Sequence, residues 1–272
     1  RADRGRRRAL GGRRLIAAPQ AARALPGTQA YRRISLALMF AGSATFALLY
    51  CVQPLLPVFA RDFSVGAASS SLALSFATVL LALAIVGAAM ASENLGRRGL
   101  MFGSLALAAV LNMAVTAAHN WPTLLLLRAA EGCALGGVPA VAMAYLAEEM
   151  DPRGLGFAMG LYIAGTAFGG MAGRVCAGVL TQLLSWRAAL LLLGAMGLAA
   201  ALAFIALAPP SRHFTRARQF DAYHHLRAWA GHLRRRPLRR LFMVGFLVMG
   251  AFVTIYNYVG FRLMAPPYSF NQ

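Results

Sequence analysis

Residues 71–101 read SLALSFATVLLALAIVGAAMASENLGRRGLM. Positions 71–92 are predominantly apolar, and a helix that crosses the hydrocarbon core of a bilayer needs about 20 such residues. The run ends before Glu93, and the short basic sequence Gly96-Arg97-Arg98 separates it from a second apolar run that begins at Leu100. This stretch therefore predicts two membrane-spanning helices joined by a tight, positively charged turn.

The rest of the chain repeats the same pattern. Seven stretches have the length and composition of a membrane span, at residues 34–59, 71–92, 100–118, 122–147, 155–183, 186–207 and 241–263. Hydrophobic residues make up 59% of the 272-residue chain, against about 45–50% in soluble domains. Burying seven such runs would leave a soluble protein without a polar exterior, so we predict an all-α integral membrane protein.

Composition also excludes several other classes of protein. The formal net charge is +19 but only 13% of the residues are charged, which excludes a disordered polybasic protein and argues against a soluble nucleic-acid binder. All 27 basic residues are arginine, so no lysine is available for Schiff-base chemistry. Cys51, Cys133 and Cys176 lie inside apolar runs and provide neither a metal-ligand spacing nor a disulfide framework. We predict no enzyme activity, no cofactor and no metal site.

The arginines indicate how the chain crosses the membrane. Cytoplasmic loops carry an excess of basic residues, and 22 arginines fall in one set of alternate segments against three in the other. This bias predicts a cytoplasmic amino terminus. We divide the chain into a basic tail at 1–33, expected to be disordered, a six-helix bundle at 34–207, a basic cytoplasmic linker at 208–240, and a final section at 241–272 that contains the seventh helix.

The linker has the pattern of a helix that lies on a membrane surface. Apolar and aromatic residues recur at helical spacing between its arginines and histidines, at Phe220, Tyr223, Leu226, Trp229 and Leu233. Such a stretch suits an anionic inner leaflet, and we assign it no nucleic-acid role.

Three motifs carry a family resemblance. Residues 89–101, AMASENLGRRGLM, resemble the loop signature of the major facilitator superfamily, Gly-x-Leu-Ala-Asp-Arg-x-Gly-Arg-Arg, with Ala89, Glu93 and Asn94 as departures. In the fourth span, residues 128–132, RAAEG, resemble the signature Arg-x-x-Gln-Gly of the same family. In the fifth span, residues 165–174, GTAFGGMAGR, are similar to the antiporter signature Gly-x-x-x-Gly-Pro-x-x-Gly-Gly, without its proline and with Arg174 in place of the last glycine.

Together these motifs resemble the bacterial inner-membrane branch of the superfamily that exports drugs or sugars in exchange for protons. Members have twelve helices in two six-helix halves, each built from inverted repeats. The resemblance implies a six-helix N-terminal bundle plus a seventh transmembrane helix, with the chain truncated after that helix, where a missing C-terminal bundle would start. It also implies proton-coupled efflux of a small molecule by alternating access, in a multi-pass inner-membrane protein that is monomeric when full length.

One charged pair is predicted deep inside a span. Counted from Pro122, Glu131 lies about 14 Å into its helix, near the middle of a ~30 Å core. Arg128 lies one turn away on the same face. A carboxylate beside a guanidinium has opposing influences on its proton affinity, so our hypothesis is that Glu131 carries the coupling proton and Arg128 tunes it. A permanently ionised structural pair is the alternative.

Polar and aromatic residues of the first, fifth and seventh spans are candidates for substrate contact, because the resemblance implies that the first and seventh helices border a central cavity. The candidates are Tyr50, Gln53, Arg174, Tyr256 and Asn257, with Tyr258 beside them. Arg174 could meet Glu131, an anionic substrate or backbone carbonyl groups.

Two further sets of residues are predicted to be structural or to control access. Charged groups of the loops after the second and fourth helices should form a cytoplasmic gate that holds the outward-open state, comprising Glu93, Gly96, Arg97, Arg98, Glu148, Glu149, Asp151 and Arg153. Small residues should allow close helix packing, at Gly132, Gly136, Gly165, Gly169 and Gly173.

Other functions stay open at this point. A uniporter or symporter of the same fold shares these features, and a channel shares the buried polar groups. A seven-helix receptor matches the number of spans, although a cytoplasmic amino terminus would place its carboxyl terminus outside. An intramembrane enzyme is disfavoured because no Gly-x-Ser-x-Gly motif is present. The partners we expect are a small-molecule substrate, protons and the lipid bilayer.

Overall fold

A computed structural model describes residues 23–211 and 230–269 of the chain. The described residues are helical and contain no strand, apart from one isolated bridge between Ala24 and Met150. The helices are α1 (Gln29–Tyr50), α2 (Leu56–Asp62), α3 (Ala67–Ser70), α4 (Leu72–Leu95), α5 (Arg97–Val115), α6 (Trp121–Leu135), α7 (Gly137–Glu149), α8 (Pro152–Leu183), α9 (Trp186–Leu207) and α10 (Arg236–Met264).

The all-α membrane fold is confirmed. Seven helical segments of the described chain are long and apolar enough to cross a bilayer, and they correspond one to one with the predicted spans. Residues 1–22 and 212–229 lie outside the described part. The predictions of a disordered tail and of a surface helix at Phe220, Tyr223, Leu226 and Trp229 therefore stay predictions.

Two of the predicted spans contain a break. The first span, predicted as one helix over residues 34–59, ends at Tyr50 and resumes as α2 after a turn at residues 51–55. The fourth span divides into α6 and α7 at Gly136. Proline explains both breaks, because Pro54 and Pro139 lack the N–H group that would bond the carbonyl four residues earlier, and their rings crowd that carbonyl.

Helix α1, the longer part of the first span, lies at the centre of the bundle. It packs against α8 and α9, while α4 packs against α6 and α5 against α9. Three glycines of α8 let it approach the α1 backbone closely: Gly165 faces Met39, Gly169 faces Ser43 and Gly173 faces Ala47. The three glycines and the three α1 residues that they face each recur every four residues along their helix.

The other two packing glycines lie against α4. Gly132 faces the backbone of Ala77, and Gly136 faces Ala84. A Cβ at Gly132 would overlap the Ala77 carbonyl group, so the α4–α6 contact depends on the missing side chain.

One end of the bundle is closed by aromatic side chains. Phe59, Phe63, Trp121 and Trp186 contact one another with ring centroids 5.2–6.4 Å apart. The indole N–H of Trp186 donates to Asp62 Oδ2 at 2.7 Å. The cluster ties α2 to α6 and α9, and the sequence analysis did not identify it.

Candidate functional site

A cavity of about 580 Å³ lies where α1, α8 and α10 meet. This volume is within the usual 300–1,000 Å³ range of small-molecule sites. Its walls are mostly aromatic, aliphatic or thioether side chains, with Arg174 as the charged group: Phe46, Tyr50, Thr166, Ala167, Gly170, Met171, Arg174, Val175, Met249, Phe252 and Tyr256.

The position of the Arg174 guanidinium is fixed by the hydrogen bonds that it donates to the α1–α2 turn and to its own helix, α8. Its Nε donates to Gln53 Oε1 at 2.5 Å, and its Nη1 donates to the carbonyl of Gly170 at 2.7 Å. Gln53 follows the end of α1, and its amide nitrogen in turn donates to Asn257 Oδ1 of α10 at 2.9 Å. These contacts form a polar chain that joins α8, the α1–α2 turn and α10.

Aromatic rings surround the same guanidinium. The Arg174 carbon Cζ lies 4.3 Å from the ring centroid of Tyr50, 4.5 Å from that of Tyr256 and 5.5 Å from that of Phe252. Cations are attracted to aromatic faces at such distances, most strongly where water is excluded. The three rings therefore stabilise the positive charge of the half-buried Arg174 side chain.

The structure thus brings together the five residues that the sequence analysis named as substrate contacts. Tyr50, Gln53, Arg174, Tyr256 and Asn257 form one connected cluster. Tyr258, which lies beside them in sequence, is exposed. Of the partners considered for Arg174, the structure shows a backbone carbonyl, that of Gly170. Glu131 is paired with Arg128 instead.

Arg128 and Glu131 form an ion pair inside the bundle. Arg128 Nη1 lies 2.5 Å from Glu131 Oε2, and neither side chain is exposed at all. Arg128 also donates to the carbonyls of Leu49 at 2.9 Å, Ala73 at 3.3 Å and Leu48 at 3.4 Å. The pair therefore connects α6 to the last turn of α1 and to α4.

The second carboxylate oxygen of Glu131, Oε1, is buried and has no hydrogen-bond partner among the described residues. An unsatisfied buried acceptor costs free energy, and a proton placed on that oxygen would remove the negative charge. The geometry thus leaves one oxygen of Glu131 available to a proton while the other is held by Arg128.

A second polar chain lies beside this pair and was not predicted. The Cys51 thiol donates to the Leu48 carbonyl at 3.1 Å and lies 3.7 Å from Asn112 Oδ1, whose amide nitrogen donates to the Leu190 carbonyl at 2.7 Å. These contacts satisfy one backbone carbonyl in the last turn of α1 and one near the start of α9. An asparagine in an apolar run at position 112 was the signal available in the sequence.

The predicted cytoplasmic gate divides into separate contacts. Arg97 forms a double hydrogen bond with Glu148, from Nε at 2.7 Å and Nη2 at 2.5 Å, which joins α5 to α7. Arg98 instead donates to the Ile205 carbonyl of α9 at 2.5 Å. Gly96 has φ +80°, the conformation that a tight turn between α4 and α5 requires and that glycine adopts without strain.

Of the remaining members of that set, Asp151 and Arg153 lie at the start of α8, Glu149 ends α7 and Glu93 lies in the last turn of α4. Asp151 caps α8 by accepting from the Arg153 N–H at 3.0 Å, and the Arg153 side chain donates to the same carboxylate at 2.9 Å. These hydrogen bonds from Arg153 lower the pKa of Asp151. The backbone carbonyl of Glu149 accepts from Ala24 at 2.8 Å, and the side chain of Glu93 lies outside the described part of the structure.

No group of three His, Cys, Asp or Glu side chains within residues 23–211 and 230–269 could hold a metal ion.

Comparisons with known proteins agree with this architecture. The sequence model of the Major Facilitator Superfamily matches residues 38–271. The chain is 44% identical over 248 residues to the Inner membrane transport protein YnfM of Escherichia coli (strain K12), which covers 90% of the chain and 59% of that protein. It is 44% identical over 246 residues to the Uncharacterized MFS-type transporter YybF of Bacillus subtilis (strain 168), covering 90% of the chain and 61% of the relative. The chain spans about three fifths of the length of these relatives.

Proposed function

Because the chain belongs to the Major Facilitator Superfamily, we propose that it functions as a secondary active transporter that exports a small molecule across a bacterial inner membrane in exchange for protons. Relatives with 44% identity are named as membrane transporters, one of them as an inner membrane transport protein. Seven segments suited to span a bilayer support the same location.

The observation that carries the proposal is the position of the cavity. It lies between α1, α8 and α10, the first, fifth and seventh spans, and it contains a positioned cation with three aromatic rings around it. A site shared between the six-helix bundle and the seventh helix would be reshaped whenever these two parts rock against each other, and such rocking gives alternating access in transporters.

Proton coupling is assigned to Glu131. A charged side chain in a bilayer core costs at least about 2.5–3.5 kcal/mol, and Glu131 keeps one carboxylate oxygen without a partner. When a proton occupies this oxygen, Arg128 loses its counter-charge and is held by the carbonyls of Leu48, Leu49 and Ala73. Protonation then changes the forces on the last turn of α1.

That turn also leads directly into the cavity. Leu49 accepts from Arg128, and the next residue, Tyr50, contacts Arg174. Gln53, three residues further on, accepts from Arg174. The proton site and the substrate site are therefore linked through a few residues at the end of α1, which gives a physical basis for exchange of one for the other.

Access from the cytoplasm is assigned to the contact between Arg97 and Glu148. The arginine bias of the sequence supports a cytoplasmic amino terminus, which places this contact on the cytoplasmic side. We expect it to hold α5 against α7 in the outward-open state and to break when the protein opens inward. The substrate and protons are the proposed partners, and the protein is proposed to act as a monomer.

The test uses the complete gene product in proteoliposomes with a pH-sensitive dye inside and an imposed pH gradient. Three probes of one shape are added: naphthalene-2-sulfonate, the neutral naphthalene-2-sulfonamide and the cation 2-naphthyltrimethylammonium. We expect at least one of them to drive proton movement in the opposite direction above the level in protein-free liposomes. Glu131→Gln should abolish that proton movement while exchange of the probe continues.

Asp62→Asn is the matched control, since it also replaces a carboxylate by its amide, at a position outside the cavity lining where the amide oxygen can still accept from Trp186, and it should retain coupling. Probe flux without proton movement would identify a uniporter, and flux in the same direction as protons would identify a symporter. Unchanged coupling in Glu131→Gln would remove Glu131 from the mechanism. A receptor would move neither probe nor protons.

A further inference from the structure

Arg174 keeps part of its hydrogen-bonding capacity free. A guanidinium has five N–H donors, and here Nε binds Gln53 while Nη1 binds Gly170. The second amino group, Nη2, is buried and has no hydrogen-bond partner among the described residues. The terminal edge of the guanidinium, formed by one N–H of Nη1 and one of Nη2, therefore keeps two N–H groups for a ligand.

The charge of Arg174 also lacks an acidic partner among the residues that the structure describes. Each ion pair in the described part of the chain involves another arginine: Arg97, Arg128 or Arg153. The cavity walls contain no carboxylate. A half-buried cation without a counter-ion is unfavourable in a low-dielectric site, so this cavity has a net positive charge that an anion would neutralise.

The surrounding contacts fix the orientation of that charge. Gln53 accepts from Arg174 with its carbonyl oxygen because its amide nitrogen is already committed to Asn257. The ring centroids of Tyr50, Tyr256 and Phe252 lie 4.3–5.5 Å from Arg174 Cζ, so the rings attract the cation without accepting its remaining N–H hydrogen bonds. What remains is the in-plane edge, which has the geometry for two parallel hydrogen bonds to an oxyanion.

The rest of the cavity suits a flat apolar body. Phe46, Phe252, Met171 and Met249 line it together with the tyrosine rings. Aromatic groups stack on one another, and thioethers contact ring edges favourably. A sugar would require many more hydrogen-bonding groups than these walls provide.

We propose that the substrate is a small organic monoanion with a planar aromatic body, whose carboxylate or sulfonate group binds the free edge of Arg174. This proposal rests on the proposed transport function and specifies its substrate class. The oxyanion accepts hydrogen bonds from Nη1 and Nη2, while the aromatic body lies between α1, α8 and α10.

Binding to the purified complete gene product tests the proposal, measured by the fluorescence of the naphthalene group. Naphthalene-2-sulfonate should bind more tightly than naphthalene-2-sulfonamide by about tenfold to a hundredfold, the range expected for hydrogen bonds to a charged partner. Arg174→Gln should remove this preference. Arg174→Lys, which keeps the charge but loses the planar fork, should retain a smaller preference and guards against a variant that does not fold.

Arg187→Gln serves as a matched control. Arg187 lies outside the cavity and donates to the carbonyls of Thr116 and Ala118, so this variant should keep the wild-type preference. Equal affinity for the two probes, no binding of the sulfonate, or an unchanged preference in a folded Arg174→Gln protein would overturn the proposal.

The two proposals fail in different ways. Exchange of 2-naphthyltrimethylammonium for protons, without binding of the sulfonate, would leave the transporter in place and exclude the anionic substrate. Binding of the sulfonate that depends on Arg174, with no flux of any probe, would support the anion site and exclude the transport function.

Discussion

Arg128 and Arg174 are two arginines inside predicted spans with opposite surroundings. Arg128 is fully buried, pairs with Glu131 and donates to three backbone carbonyls. Arg174 is half-buried, has no carboxylate partner in the described part of the chain, and is surrounded by three aromatic rings. The same side chain is neutralised at one site and remains a positive charge at the other.

The difference indicates two separate tasks. The Arg128 guanidinium has a carboxylate and three backbone carbonyls as hydrogen-bond acceptors, so it holds helices together. Its charge balance changes only when the charge of Glu131 changes. A guanidinium held by an amide and by aromatic rings keeps its charge and some of its donors available. The first arrangement suits proton coupling, and the second suits recognition of an anion.

The largest expected effect comes from removing one member of the buried pair. Glu131→Leu leaves Arg128 as an uncompensated buried charge, and breaking such a pair costs about 3–5 kcal/mol. Arg174→Leu removes a charge that has no acidic partner among the described residues but donates two hydrogen bonds, so it should cost about 2 kcal/mol, at about 1 kcal/mol for each bond. Unfolding of the purified protein in detergent, followed by circular dichroism, measures both.

The double variant Arg128→Met with Glu131→Leu is the control for this comparison. Because it removes both charges together, it should be more stable than either single variant. If the losses of the two single variants simply added, the pair would not act as a unit. Equal losses in Glu131→Leu and Arg174→Leu would remove the distinction between the two arginines.

The sequence was sufficient to predict the partner of Arg128, whereas helical spacing could not supply the partners of Arg174. Arg128 and Glu131 lie three residues apart on one helix, so helical geometry alone brings them together. Arg174 and Gln53 are 121 residues apart, and Gln53 and Asn257 are 204 apart. Their grouping in one set came from the family resemblance, because apolar spacing does not specify which faces of α1, α8 and α10 meet.

The spans themselves were predictable because a bilayer-length apolar run has few alternatives. The breaks after Tyr50 and at Gly136 were not, since transmembrane helices often tolerate proline and glycine. The contact of Arg98 with the Ile205 carbonyl was also missed. A charge pattern suggests acidic partners, whereas here the end of a distant helix supplies the acceptor.

An intermediate effect is expected at the contact between α8 and α1, which positions Arg174 but not Arg128. Gly169→Ala places a Cβ against the Ser43 backbone of α1, and overpacking of this kind costs about 1–3 kcal/mol. It should separate α8 from α1 and move Arg174 away from Tyr50 and Gln53, while the Arg128–Glu131 pair between α6, α1 and α4 is preserved. Binding of naphthalene-2-sulfonate should therefore weaken in this variant.

Gly160→Ala is the matched control, because a Cβ at this α8 position meets nothing within 4 Å. It should leave binding unchanged and stabilise the helix slightly. A similar loss of binding in both variants would mean that flexibility of α8, rather than its distance from α1, determines the affinity.

The smallest effect on stability is expected for a third arginine, Arg97. Like Arg128 it pairs with a glutamate, but its side chain is more exposed to solvent. Arg97 and Glu148 form a double hydrogen bond, yet their side chains are 18% and 27% exposed, against 0% for Arg128 and Glu131. Exposed ion pairs contribute about 0–1 kcal/mol, so Arg97→Ala should barely change the unfolding transition.

The effect of Arg97→Ala should appear in access to the cavity instead. The parent protein for this test has a cysteine at the cavity-lining position Ala167, and Cys133 and Cys176 are replaced by alanine. If the Arg97–Glu148 contact closes the cytoplasmic side, the new cysteine should react faster in Arg97→Ala with an impermeant thiol reagent added from that side. Arg153→Ala breaks a local contact within the start of α8 and should leave the reaction rate unchanged. Equal reaction rates in the Arg97→Ala and parent proteins would show that the Arg97–Glu148 pair does not control access. The proposed functions would then be confined to Arg128 and Arg174, the arginines inside the predicted spans.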